Sequence, residues 1–270
     1  MSNRGTFGSK LAIVLATAGS AVGLGNIWRF PFMTGQNGGA AFILIYFACV
    51  FLLGIPGMVN EFLVGRHAQT NAARAYGQIG GRGWRVIGYL GILTSTIILG
   101  FYAVVAGWCL QYLFASIAGQ LDGDPTYVVT YFKTFSSDPV KPCLWGVGFV
   151  LITHVVVSQG VEKGIERASK LLMPLLLVLL LILVVASCML PGAVKGVEFL
   201  LKPDFSKVSS KVFLEALGQA FFSLSLGTAC LCTYASYFKR DTNLLKSATQ
   251  IALLDSFIAI LAGLMIFPAA

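Results

Sequence analysis

Two stretches of this 270-residue chain place polar and flexible residues where apolar ones are expected. The first is Gly19-Ser20-Ala21-Val22-Gly23-Leu24-Gly25-Asn26, running into Ile27-Trp28-Arg29-Phe30-Pro31. The second is Gly218-Gln219-Ala220-Phe221-Phe222-Ser223-Leu224-Ser225-Leu226-Gly227-Thr228. Glycine weakens a helix, and each unwound peptide frees an N–H and a C=O that lipid cannot satisfy. Such breaks are tolerated where they line a cavity, with freed carbonyls facing cations and half-helix N-termini facing anions. Asp255 is a third candidate, because an acid inside a membrane segment is costly and marks function by default. Its plain alternative is an acid at the helix mouth, paired with Lys246 or with water. Glu61, also within an apolar run, fits a structural hydrogen-bonding acid below the site.

The elements that must position these residues follow from composition. The chain is 57% hydrophobic and only 11% charged, whereas a soluble domain carries about a quarter of charged residues. Apolar runs at residues 11–35, 40–65, 86–118, 143–160, 171–190, 212–237 and 248–270 predict an all-α, polytopic membrane protein of about seven transmembrane helices. Most reach the roughly 20 residues needed to cross about 30 Å of hydrocarbon; the run at 143–160 is the shortest. The first run follows Arg4 and Lys10 as a signal peptide would, but it stays apolar past the glycines and shows no convincing cleavage site.

Charge orients the chain. Arg4, Lys10, Arg66, Arg74, Arg82, Arg85, Lys163, Arg167, Lys170, Lys239, Arg240 and Lys246 make up 12 of the 19 basic residues, and all fall on one side if there are seven crossings. The positive-inside rule makes that side cytoplasmic, and the N-terminus with it. The net charge of +8 is therefore topological, with anionic lipid as a natural contact, and nucleic acid is excluded as a partner. Of six cysteines only Cys143 borders an outer loop, so the thiols read as small buried hydrophobes. An intramembrane hydrolase built on Asp255, Ser223 or His154 is disfavoured, since no nucleophile and base stand at recognisable spacing.

The two breaks are related by position. Five helices separate the start of the first broken run from the start of the second, as expected if residues 1–190 form one repeat, 191–211 an extracellular loop, and 212–270 the opening of an inverted copy. Either break alone would also suit close helix packing through small residues. Two breaks at matching positions point instead to a transporter binding site.

The residues that carry a family resemblance are the first broken stretch through Pro31, Asn37-Gly38-Gly39, Gly54-Ile55-Pro56 with Glu61 and Gly65-Arg66, Gly164-Ile165-Glu166-Arg167, and Phe222 to Gly227 with Thr233-Tyr234-Ala235-Ser236-Tyr237. They resemble the neurotransmitter:sodium symporter family in its bacterial amino-acid branch, whose leucine-transporter-like fold is known for broken helices one and six. Members have about twelve helices. This sequence matches helices one to seven, with the second repeat barely begun, so the resemblance leaves two expectations open. One is a sodium-coupled amino-acid symporter of the cell inner (plasma) membrane. The other is a truncated, non-transporting fragment or subunit, whose remaining helices a dimer partner or a separate C-terminal half supplies.

The resemblance also implies a site. One sodium is expected at the Ala21 carbonyl, the Asn26 side chain, Ser223 and Asp255, shared with the substrate carboxylate. A second is expected at the Gly19 and Val22 carbonyls plus hydroxyls on helix eight, which this sequence does not reach. No organic cofactor is implied. The neighbourhood of Tyr46, Gln219 and Ser223 is similar to the halide site of chloride-dependent members, and Asp255 is placed to replace that anion. Gly23 stands where monoamine carriers have an aspartate, which favours an amino acid whose carboxylate meets the N–H groups of Leu24 and Gly25. Its ammonium would face Ala21, Phe222, Ser223 and Ser225, and Tyr102 would meet the carboxylate. Ile98, Tyr102, Phe222, Ser225 and Thr228 resemble the side-chain pocket. Thr228 replaces a phenylalanine of leucine carriers, favouring a large hydrophobic or aromatic substrate, although pocket size discriminates weakly. Arg29, Tyr102 and Phe222 resemble the outer gate, and Arg4, Phe7 and Tyr237 the inner one. Without the resemblance, Arg29 reads as a snorkelling side chain.

Overall fold

A computed structural model describes residues 16–19, 21–121 and 124–270, and all regular structure among them is helical. A π-turn at Gly25–Arg29 runs into α1, Phe30–Gln36, where Pro31 sits in the first turn and its missing N–H costs nothing. The chain then reverses through Gly38 and Gly39, both at positive φ. A β-carbon on Gly39 would lie 2.4 Å from the Phe199 carbonyl oxygen, so both the turn and the close approach require glycine.

The next span is one helical rod, Ala40–Ala68, made of α2 (Ala40–Cys49), a π-turn (Val50–Gly54) and α3 (Ile55–Ala68). After α4 (Ala72–Gly80) come α5 (Arg85–Ile117), α6 (Pro125–Ser137) and α7 (Lys141–Ser158). A π-turn at Val161–Glu166 precedes α8 (Arg167–Cys188), which is followed by α9 (Ala193–Leu201), α10 (Ser210–Ser223), α11 (Cys230–Ala235) and α12 (Leu244–Ile266). Five helical stretches are long and apolar enough to cross a membrane: Ala40–Ala68, Arg82–Ile117, Lys141–Ser158, Lys163–Cys188 and Leu244–Ala269. They cover five of the seven expected runs; the other two are the interrupted ones.

The sequence treated three further segments as plain loops, and they are helical. α4, α6 and α9 have 9, 13 and 9 residues, too short to cross. Caps explain two of them: Asn71 Oδ1 accepts the Arg74 N–H at 2.9 Å, and Asp124 Oδ1 accepts the Thr126 N–H at 3.2 Å. Asp138 likewise opens α7, accepting the N–H groups of Val140 and Lys141 at 2.8 and 2.9 Å, which hold its carboxyl below the usual carboxylate range.

The described residues divide into two compact units, one up to Ile92 together with Val161–Ala270, the other Leu93–Gly160. In the first, Phe30, Phe42, Tyr46, Phe62 and Phe238 are completely buried, and Phe30 meets Tyr46 edge-on at 5.1 Å between ring centroids. In the second, Gly107 lets α5 and α7 touch backbone to backbone, since a β-carbon there would lie 2.5 Å from the Gly146 nitrogen. Trp108 of α5 packs edge-on against Phe132 of α6 at 5.3 Å. Rows of exposed leucine and valine on α5 and α8 present apolar surface outward.

Candidate functional site

Both interrupted runs are irregular where the glycines predicted. Helix at Ala16–Gly19 gives way to a bend at Val22–Gly23 before the π-turn begins. The second run leaves helical geometry after Ser223 and regains it at Cys230. Between them Ser225, Gly227 and Ala229 take φ of +56°, +77° and +60°. Two of these three are not glycine, so the segment is held against its intrinsic preference by its surroundings.

The surroundings are one face of the second span. A β-carbon on Gly54 would meet the Leu224 side chain at 2.5 Å, one on Gly57 the Leu226 side chain at 3.3 Å, and one on Gly65 the Cys232 carbonyl oxygen at 2.1 Å. On the same face Glu61 Oε1 accepts the Gly227 N–H at 2.7 Å. Three glycines and an acid at helical spacing thus form a trough for the irregular segment, and the carboxylate takes up one backbone donor that the lost helix leaves over.

Where the two breaks meet, polar groups converge. Asn26 Nδ2 donates to Ser223 Oγ, the Asp255 carbonyl and Asp255 Oδ1 at 3.2, 3.0 and 2.8 Å. Ser223 Oγ in turn donates to Asp255 Oδ2 at 2.7 Å, and Tyr46 Oη reaches the same oxygen at 3.3 Å. Asn26, Tyr46 and Asp255 are fully buried and Ser223 nearly so. Three oxygens from two elements therefore lie within 3.2 Å of one point, the Asn26 amide nitrogen. An all-oxygen set carrying one formal negative charge suits a hard monovalent cation and offers no soft ligand. Asp255 is bonded to the side chains of Asn26, Ser223 and Tyr46 at the crossing.

One layer outward, Gln219 bridges the breaks. Its Nε2 donates to the Gly25 carbonyl at 3.0 Å, and its Oε1 accepts from the Arg29 guanidinium. Arg29 also lies over the Phe222 ring, 4.9 Å from its centroid. Gly25 allows this crossing, because a β-carbon there would press on Phe222 at 3.2 Å. Further out still, Asn37 Nδ2 donates to Glu215 Oε2 at 2.9 Å. Glu215, Gln219 and Ser223 are spaced by four on α10, so one helix face presents all three to the first broken run. That spacing was visible in the sequence; the Asn37 partnership of Glu215, 178 residues away, was not.

Residues 4–130 and 142–270 match the sequence profile of the Sodium:neurotransmitter symporter family. The chain belongs to that family. It is 43% identical over 263 residues to an uncharacterized sodium-dependent transporter of Bacillus subtilis (strain 168), covering 97% of this chain and 58% of the relative. A second such transporter, from Haemophilus influenzae, is 37% identical over 277 residues, covering 98% of this chain and 61% of the relative. Among solved structures, the crystal structure of MhsT in complex with L-phenylalanine superimposes with a TM-score of 0.92 at 46% identity, over 99% of this chain and 61% of that one. The chain thus spans about three fifths of the length of these relatives. Its fold is that of this sodium-dependent symporter family.

The expected site residues of this chain fall in both units. Ala21, Gly23, Leu24, Gly25, Asn26, Phe222, Ser223, Ser225, Thr228 and Asp255 lie on or beside the breaks in the first unit. A β-carbon at Gly23 would meet nothing within 4 Å, so open space adjoins the bend. Thr228 spends its hydroxyl within the irregular segment, donating to the Ser225 carbonyl at 2.8 Å. Gly19 packs on α8, where a β-carbon would lie 3.5 Å from Ser169 Oγ, and Val22 is buried at the bend. Ile98 and Tyr102 stand on α5 within the second unit. Arg4 and Phe7 lie outside the described residues; Tyr237 is half-buried against the first unit's core.

Proposed function

We propose that this chain is part of a transporter that carries a neutral amino acid, large and hydrophobic or aromatic, into the cell together with sodium by alternating access. The observation that carries this reading is the convergence of Asn26, Ser223 and Asp255 on one point at the crossing of two interrupted helices. Sodium meets that oxygen set, and the Ala21 carbonyl and the substrate carboxylate complete it. Each ligand then forms part of the other's site, so binding of one raises affinity for the other. The fixed carboxylate of Asp255 stands where chloride-dependent members bind the anion, which makes chloride unnecessary.

Open space at Gly23 leaves room for the substrate's own carboxylate against Leu24 and Gly25. The carbonyls of Ala21 and Phe222 and the oxygens of Ser223 and Ser225 receive its ammonium. Phe222, Ser225 and Thr228 line the place of its side chain, and Arg29 over Phe222 closes the outer side. The relative crystallised with L-phenylalanine supports an aromatic ligand at such a site. A second sodium is assigned to the carbonyls of Gly19 and Val22. The protein would reside in the cell inner membrane as a multi-pass chain with its N-terminus cytoplasmic.

Equilibrium binding of radiolabelled amino acids tests this in two steps. Replacing sodium with potassium should weaken binding strongly, and replacing chloride with gluconate should leave it intact. Undiminished binding in potassium would refute the sodium site, and loss in gluconate would refute the anion-replacing role of Asp255. In a competition panel, aromatic and large aliphatic amino acids should outrank glycine and alanine, with tryptamine weakest. A Thr228→Phe variant that leaves this ranking unchanged would refute the pocket assignment.

A further inference from the structure

The carboxamide of Asn26 is committed at both ends. Its nitrogen donates to Ser223 Oγ, the Asp255 carbonyl and Asp255 Oδ1, and its oxygen accepts the Gly23 N–H at 3.0 Å. A cation among those three oxygens calls for an oxygen from Asn26, since an NH2 group carries protons and has no lone pair to offer. The only side-chain oxygen Asn26 possesses is the one that holds Gly23. An asparagine amide turns about its last bond in a broad, roughly two-fold potential, so exchanging its two ends is a small local motion.

The exchange has a consequence for the backbone. With Nδ2 turned toward Gly23, two donors face each other, and the Gly23 N–H loses its acceptor. At a half-buried bend an amide that has lost its acceptor is unfavourable until another acceptor arrives. Gly23 adjoins open space, and the peptides that follow it, Leu24 and Gly25, are those assigned to the substrate carboxylate.

We propose that Asn26 is a two-position coupling switch: in one orientation its carbonyl sequesters the Gly23 N–H, and in the other it ligates sodium and frees that N–H for the carboxylate of the amino acid. This rests on the symport reading above and adds a cause of coupling separate from the shared carboxylate. Gly23 becomes a substrate donor that exists only when the amide has turned. By linkage the effect runs both ways, so a bound carboxylate that claims the Gly23 N–H releases the Asn26 carbonyl for the ion.

The test separates the switch from a plain ligand role. Binding of the tightest-binding neutral amino acid is measured on purified protein in sodium chloride and in choline chloride. Asn26→Ala leaves the Gly23 N–H permanently uncovered, so its affinity in choline should rise about fivefold over the unsubstituted protein, as expected for one hydrogen bond no longer given up. Stimulation by sodium should fall at the same time. If Asn26 is only a sodium ligand, stimulation falls while affinity in choline stays unchanged, and that result would overturn the proposal.

Should Asn26→Ala fail to fold, Asn26→Asp decides the matter. Its two oxygens can hold Gly23 and meet the ion together, so radiosodium binding should persist while most of the stimulation of amino-acid binding is lost. Full stimulation in Asn26→Asp would overturn the switch. Sodium-independent binding by the unsubstituted protein would instead strike at the symport reading itself, and the two failures are thereby told apart.

Discussion

Asp255 is fully buried, and the side chains bonded to it, Asn26, Ser223 and Tyr46, are all neutral. A carboxylate in that position is satisfied in hydrogen bonds but not in charge, and a bound cation would supply what is missing. Asp255→Asn should therefore weaken sodium affinity by at least about tenfold, as the loss of one member of a buried charge pair does. The same variant should acquire a stimulation by chloride that the unsubstituted protein lacks, and radiosodium binding at varied chloride reads both effects. Tyr46→Phe removes the hydroxyl that reaches Asp255 at 3.3 Å while leaving the ring in place, so its effect should be near 1 kcal/mol, about fivefold in sodium affinity. These residues differed in how far sequence revealed them. Asn26, Ser223 and Asp255 stood out because polar side chains in apolar runs are costly. What Gln219 does was hidden, because its bond to the Gly25 carbonyl spans 194 positions and leaves no spacing to read.

At the level of elements, α3 and the segment from Leu224 to Cys232 act as trough and filling. Gly65→Ala places a β-carbon 2.1 Å from the Cys232 carbonyl, backbone against backbone, so neither side can yield by turning a side chain. A cost of about 1–3 kcal/mol is expected, at the upper end of that range, and a fall in the midpoint of thermal denaturation in detergent reports it. Glu61→Gln keeps a carbonyl oxygen for the Gly227 N–H and should denature close to the unsubstituted protein. Glu61→Ala removes the acceptor of that N–H and should lower the midpoint, by the equivalent of about 0.5–1.5 kcal/mol. Equal midpoints for the two variants would show that the 2.7 Å contact contributes nothing. Sequence located the break itself, through Gly227 and the serines. It did not say what held the break open, because Gly54, Gly57, Glu61 and Gly65 become one face only once α3 is seen packed on a partner more than 150 residues away.

For the molecule as a whole, composition spoke most clearly. Five of the expected runs are helical stretches of spanning length, four of them within four residues of their predicted bounds and the fifth, Lys163–Cys188, starting eight residues before its predicted start at 171. The π-turns at Val50–Gly54 and Val161–Glu166 went unforeseen, since one extra residue in a turn leaves the apolar pattern unchanged. The predicted sidedness is open to a direct check. In a cysteine-free background, Ser137→Cys should react with a membrane-impermeant maleimide from outside intact cells, and Arg82→Cys only after permeabilisation; both positions are exposed. Reversed labelling would invert the assigned orientation. The pairing of Glu61 with Gly227 bears finally on how such a chain enters a membrane. A segment whose peptides lack helical partners is a poor candidate for solitary insertion into lipid. Here the carboxylate that receives the Gly227 N–H lies 166 residues nearer the start of synthesis, so the ribosome delivers the trough well before the strand that must lie in it. The order of the two along the gene is thus also a workable order of assembly, in which the earlier span receives the later one as it leaves the insertion machinery.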